Sequence, residues 1–231
     1  MRKIGLIGGM SWHSTATYYN RINEQVQRRN GGMSSAPMVI ENLDFADVRR
    51  CESEEDWKRA FKILQRSAKR LERTGATAIF IAANSMHRVY DGLAEAVGVP
   101  VLHIADCVGE RMKADGITKA SIIGTRQVMT ESFYRQRLVA HGVSLTPPDQ
   151  TQVSGINRII YEELMLGKAT RDSERLLKTI ITNIAKDEVQ AIVLGCTELE
   201  MIVTEANILP IYNGAHIHAD AAVEWIFGEK E

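Results

Sequence analysis

Cys196 stands where a thiol can act as an acid or a base. The apolar run Ala191-Ile192-Val193-Leu194 ends abruptly in Gly195-Cys196-Thr197-Glu198. Four apolar residues without polar alternation read as a strand buried on both faces, the kind found in parallel sheets. Gly195 permits a sharp turn, and Thr197 or Glu198 then opens a helix with a capping side chain. The thiol is thereby expected at the carboxyl end of a strand and beside a helix N-terminus, where the local dipole favours the thiolate. A buried cysteine also serves simply as a small hydrophobe, and that reading stands beside the first. Cys51, Cys107 and Cys196 show no metal-ligand spacing and, being three, cannot all pair; a reducing cytoplasm fits best.

The elements that must position such a thiol recur along the chain. Ile4-Gly5-Leu6-Ile7-Gly8-Gly9 reads as a first strand, and Ser11 to Thr15 supplies N-cap candidates for a helix through about Arg29. The glycine spacing is not G-x-G-x-x-G and no Gly-Lys-Ser/Thr follows, so nucleotide binding is set aside. Backbone N–H groups near Met10 and Ser11 instead suit a small carboxylate. Pro37 to Leu43 reads as a second strand, followed by a charged loop around Arg49, Arg50, Glu52 and Glu54. From Asp56 to Arg73, Trp57, Phe61, Leu64, Ala68 and Leu71 fall on one helical face, and Gly75 ends the helix. Thr77 to Ala83 is another uninterrupted run, with Asn84-Ser85-Met86-His87 capping the next helix. Val99 to Asp106 is read as strand and turn, with a helix to about Lys113, and Ala120 to Thr125 opens a second series. Pro147-Pro148 marks a loop; helices are expected over 156–166, 173–186 and 219–227, with a last short strand over 209–213.

The two halves echo each other. Ile4 to Gly9 parallels Ser121 to Thr125, and Ala78 to Asn84 lies over Ala191 to Thr197 without a gap, which opposes position 83 to position 196. The expectation is α/β: two pseudo-symmetric doubly wound domains with parallel-rich sheets, each delivering a strand-end turn to a shared cleft. Residues 1–100 with 213–231 form the expected first domain, and 101–212 the second. Composition agrees with a globular chain: of 231 residues, 45% are hydrophobic and 25% charged. A net charge of −1 offers no basic field for nucleic acid, and no apolar run reaches the length of a membrane span.

These segments carry a resemblance. Gly5-Leu6-Ile7-Gly8-Gly9-Met10-Ser11-Trp12, Asn84-Ser85-Met86-His87, Leu102-His103-Ile104-Ala105-Asp106, Gly124-Thr125-Arg126 and Leu194-Gly195-Cys196-Thr197-Glu198 resemble the cofactor-independent aspartate/glutamate racemase family over essentially the full length. The likeness is strongest to the broad-specificity amino-acid racemase branch. It implies a cytoplasmic homodimer with its active site between two α/β domains, acting on a small acidic amino acid without pyridoxal phosphate, metal or nucleotide. Racemisation removes the Cα proton from one face and returns one to the other, so two acid/base groups must flank the carbon. The resemblance makes Cys196 one of them and position 83 the other. Met10, Ser11, Asn84, Ser85, Thr125, Thr197 and Glu198 are the implied substrate-binding set, since hydrogen bonds to the substrate carboxylate must stabilise the carbanion.

The sequence departs from the family at that second place. Where the family carries its first cysteine, this chain has Ala83, and some relatives in the broad-specificity branch hold Thr. Three readings stay open: a substitution introduced to trap substrate, a one-thiol enzyme, or a binding protein that has lost catalysis. A single thiol also suits decarboxylation of a malonate-type acid, which needs one proton donor. Among other polar residues, His87 has a packing role or an approach to the cleft. His103 and Asp106 read as hinge residues, and His216, His218 and Asp220 lack companion metal-ligand spacing. Arg49 and Arg50 read as solvent-facing, and Met165 stands where aspartate-preferring relatives carry Lys.

Overall fold

A computed structural model describes residues 1–50, 53–147, 149–203 and 208–228; Cys51, Glu52 and Pro148, named above, lie outside them. The chain divides into two compact units, Met1–His103 with His218–Glu231, and Ile104–Ile217. Each holds a four-stranded parallel sheet among the described residues.

The first unit runs β1 (Ile4–Gly8), α1 (Trp12–Asn30), β2 (Met38–Asn42), α2 (Phe45–Val48), α3 (Glu54–Arg73), β3 (Ile79–Ile81), a 3-10 turn (Ser85–Val89), α4 (Tyr90–Glu95) and β4 (Val101–Leu102). Its strand order is β2-β1-β3-β4. Parallel strands need crossover helices, and those helices cover both faces, so β1 and β3 are buried at every residue. Alternation of side chains sends Ile7, Ile79 and Ile81 into one core with Trp57, Ala60, Leu64, Ala68 and Leu71 of α3. Ser53 and Asp56 cap α3 reciprocally, and Gly75, at φ 83°, follows its end.

The second unit repeats the plan with α5 (Ile104–Ala114), β5 (Lys119–Gly124), α6 (Arg126–Thr130), α7 (Ser132–Ala140), β6 (Ser144–Leu145), α8 (Gln150–Glu162), α9 (Arg171–Ile184), β7 (Ala191–Gly195) and β8 (Ile211–Asn213). The order is β6-β5-β7-β8. Ile123, Ile192 and Leu194 face a core built with α8 and α9. Ile122, Ala191 and Val193 face the opposite core, with residues of α5 and α7. The sheet is therefore wound on both sides, as the unalternating run of β7 requires. The ladders keep the register of the sequence echo: Ile7 pairs with Ile81 in one sheet, and Ile123 with Leu194 in the other.

Three boundaries differ from the sequence reading. Val101–Leu102 pairs with β3, so it belongs to the first sheet rather than opening the second domain. Asn213 pairs with Leu194 in the second sheet, so the return to the first unit comes later than residue 213. The closing helix α10 (Gly214–Phe227) starts earlier than residue 219, because the Asn213 side chain accepts the N–H of His216 and begins the helix there.

Close approach of the two strand ends fixes Gly124: a Cβ there would lie 2.8 Å from the Gly195 carbonyl oxygen. Gly124→Ala should destabilise the protein by about 1–3 kcal/mol through overpacking against backbone. Gly155, within α8, has only Leu176 within reach at 3.9 Å. Gly155→Ala should be neutral or stabilise by about 0.5–1 kcal/mol; thermal melts of the two variants check the contrast.

Candidate active site

In the second unit, Gly124 and Gly195 are paired in the ladder, so Thr125 and Cys196 leave adjacent strand ends side by side. Cys196 caps a short 3-10 turn (Thr197–Met201) rather than preceding an α-helix, and no side chain caps that turn. The expected helix dipole is correspondingly slight. Cys196 and Glu198 are both about 5% exposed, and the thiol Sγ–H donates to Glu198 Oε2 at 3.0 Å. Burial and the Glu198 carboxylate push the thiol well above its ordinary value, against a smaller pull from the backbone N–H groups of Glu198 and Leu199. The expectation of a favoured thiolate is thus overturned, because burial and Glu198 outweigh the backbone N–H groups. The pair is a neutral thiol on a buried carboxylate.

Near the strand ends of each unit several polar atoms are buried with no hydrogen-bond partner among the described residues. Thr125 Oγ1 lies in the turn after β5 and Gln127 Oε1 in the first turn of α6, Asn84 Oδ1 after β3, and His13 Nδ1 in the first turn of α1. A buried polar group left unsatisfied costs roughly 1–3 kcal/mol, so these atoms set the strand ends apart from the cores of the two units. The buried Gln127 oxygen had no signal in the sequence beyond its place two residues after a strand-end Thr.

In the first unit the turn after β1 is built on Gly9, whose φ of 84° and contact with the Leu43 backbone leave no room for a side chain. Thr15 Oγ1 accepts the Gly9 N–H at 2.7 Å, and Ser11 caps α1 by accepting from Ser14 N–H at 3.3 Å. Met10 and Ser11 are buried, so their turn is tightly held. After β3, Ala83 is buried and presents only a methyl group. Asn84 does not cap the following turn: it has helical φ and ψ and makes no capping hydrogen bond. Ser85 is half-buried.

The histidines have separate duties. His87 Nδ1 lies 2.9 Å from the Ala83 carbonyl oxygen, and its ring packs edge-on against His103 and His218. His218 is buried between the Tyr18 hydroxyl (2.8 Å) and the Leu102 carbonyl (3.1 Å). His103 also meets Tyr90 edge-on. His103 belongs to the first unit, whereas Asp106, in the second, binds Arg137 at 2.6 Å. His216 binds Glu200 and Asp220 binds Arg21, each away from His218; among the described residues no His/Cys/Asp/Glu group is arranged to hold a metal. Arg49 and Arg50 are exposed, and Met165 is half-buried against the second unit's core. No described helix is long and apolar enough to cross a membrane.

Two measurements follow from these environments. Glu198→Gln removes the charge that holds the thiol up, so alkylation of the Cys196 peptide by iodoacetamide at pH 8 should accelerate severalfold, read by mass spectrometry. Burial, with His87 nearby, holds His218 well below 6.5. Its unfolded form binds a proton that the native form refuses, so stability is lost as pH falls below about 6.5. Between pH 6.5 and 5.5 this amounts to about 1 kcal/mol. His218→Gln, which keeps a donor for Leu102, should flatten that part of the pH–melting curve.

Residues 7–222 match the Asp/Glu/hydantoin racemase family. The chain is 23% identical to the broad-specificity amino-acid racemase RacX of Bacillus subtilis (strain 168), over 95% of this chain and 96% of that one. A crystal structure described as a candidate Asp/Glu racemase from Yersinia pestis superposes with a TM-score of 0.91 at 38% identity, covering 98% of this chain and 99% of the other. An aspartate racemase homologue from Pyrococcus horikoshii OT3 gives 0.83 at 31% identity, with the same coverage. With its two wound parallel sheets and a strand-end thiol, this chain belongs to the Asp/Glu/hydantoin racemase family.

Proposed function

We propose that this protein exchanges the Cα proton of aspartate or glutamate without a cofactor, with Cys196 as its acid/base and no counterpart at residue 83. The observation that carries the reading is the buried Sγ–H to Glu198 contact at the end of β7. Glu198 takes the thiol proton, and the resulting thiolate removes the proton from Cα. The electron pair left on Cα spreads into the substrate carboxylate, and the same thiol then returns a proton to the carbon. The positive ammonium of an amino acid near Glu198 offsets the negative charge that this step gathers there. Thr125, Thr197, Asn84 and Ser85, with the backbone N–H groups near Met10 and Ser11, are the donors proposed to hold the carboxylates.

Residue 83 decides the stereochemical outcome. A methyl group neither takes nor gives a proton, so the proposed activity is exchange on one face without inversion. Decarboxylation of a malonate-type acid is the second reading, favoured by the single thiol at the described strand ends. The buried Glu198 carboxylate beside that thiol counts against it, because a malonate dianion would add negative charge at the same place. A protein that only binds would saturate with aspartate or glutamate and exchange nothing.

Ala83→Cys is the direct test. Chiral chromatography of L-aspartate and L-glutamate incubated with this variant should show the D-enantiomer accumulating, with little or none from the parent chain. Absence of inversion from the variant, with its fold intact by circular dichroism, would sink the assignment of residue 83.

A further inference from the structure

We infer that His87 is a positioning residue that fixes the Ala83–Asn84 turn through a single ring tautomer, with the proton on Nδ1. The inference rests on the proposed role of that turn in holding substrate.

The ladder of β3 ends at Ile81, and the residues beyond it are held one carbonyl at a time. Ala82 N–H donates to the Ile7 carbonyl, and the Ser14 hydroxyl donates to the Ala82 carbonyl at 2.9 Å. The next two carbonyls both belong to His87. Its ring nitrogen Nδ1 holds the Ala83 oxygen at 2.9 Å, and its backbone N–H holds the Asn84 oxygen at 3.2 Å. One residue therefore grips two consecutive peptide units, from which the unpartnered Asn84 Oδ1 is presented.

A carbonyl oxygen only accepts, so Nδ1 must carry the hydrogen. The ring has no freedom to exchange these roles. It is buried, with the His103 centroid 4.6 Å away and the His218 centroid 5.6 Å away, both edge-on. His218 has the opposite tautomer by the same reasoning. Its Nε2 faces the Leu102 carbonyl and must donate, so Nδ1 accepts from the Tyr18 hydroxyl. Two imidazoles in ring contact thus tie α1, β4 and α10 to the turn after β3. A side-chain oxygen without a partner keeps its direction only if its backbone is held. His87 does that for Asn84.

The tautomer is read directly by long-range ¹H–¹⁵N NMR of the intact protein labelled with ¹⁵N-histidine. Protonated Nδ1 on His87 is the expected result, and protonated Nε2 overturns the inference. Substitution separates positioning from bulk packing. His87→Asn places an amide N–H near the former Nδ1 and keeps the grip on Ala83, whereas His87→Gln places it near Nε2 and loses it. Aspartate affinity and Cα exchange should stay within about threefold in His87→Asn and fall roughly tenfold in His87→Gln, the weight of one buried hydrogen bond. Melting temperatures of the two variants should be similar. Equal losses in both variants overturn the positioning role. If the parent chain neither binds nor exchanges acidic amino acids, the racemase reading fails by itself. The Asn84 side-chain amide resonance then carries the test: unmoved by His87→Asn and shifted by His87→Gln supports the inference, and the same response to both overturns it.

Discussion

Two glycines lying side by side are the constraint on which the second unit depends. Gly124 and Gly195 face each other in the ladder so closely that a Cβ on Gly124 would meet the backbone of Gly195. A Cβ on Gly195 would in turn meet Val128 of α6 at 2.6 Å. This proximity lets β5 and β7 end together and release Thr125 and Cys196 at the same level. In the first unit Gly8 and Ala82 occupy the matching places, with Thr15 of α1 filling the space over Gly8. The common plan is a parallel ladder that stops at small residues, so polar turns emerge at the strand ends.

The chemistry placed on this plan is unequal between the units. One turn carries a thiol on a buried carboxylate, and the other a methyl group on a residue whose carbonyl an imidazole grips. Burial gives each arrangement its character. It holds the Cys196 proton on sulfur, and it holds His218 neutral within its ring contacts. Neither state is a property of the residue type. Cys107, equally unbridged, is raised to about 12 mainly by burial, with further contributions from Glu110 and Asp106, and no strand end presents it.

Much of this was legible before any coordinates. An apolar run with no alternation, as in Ala191 to Leu194, leaves a doubly covered parallel strand as the economical reading, and the gapless echo of Ala78 to Asn84 over Ala191 to Thr197 carried the register with it. Cys196 and Glu198 were recognisable as neighbours two residues apart. What escaped was set by contacts distant in sequence. Nothing in the spacing of residues 87, 103 and 218 says that the rings of 103 and 218 both meet that of 87 edge-on. The early start of α10 turns on one Asn213 side chain, and polar His216 and His218 disguise it. The protonation of Cys196 was misjudged because helix position was weighed without burial, which here is the larger effect.

The most direct measurement is NMR of Cα proton–deuterium exchange in D2O, with the L- and D-forms of aspartate and glutamate, on the parent chain and on Cys196→Ala. The account expects the parent to exchange one enantiomer of an acidic amino acid without inverting it, and Cys196→Ala to exchange none. Exchange that survives loss of the thiol would contradict it.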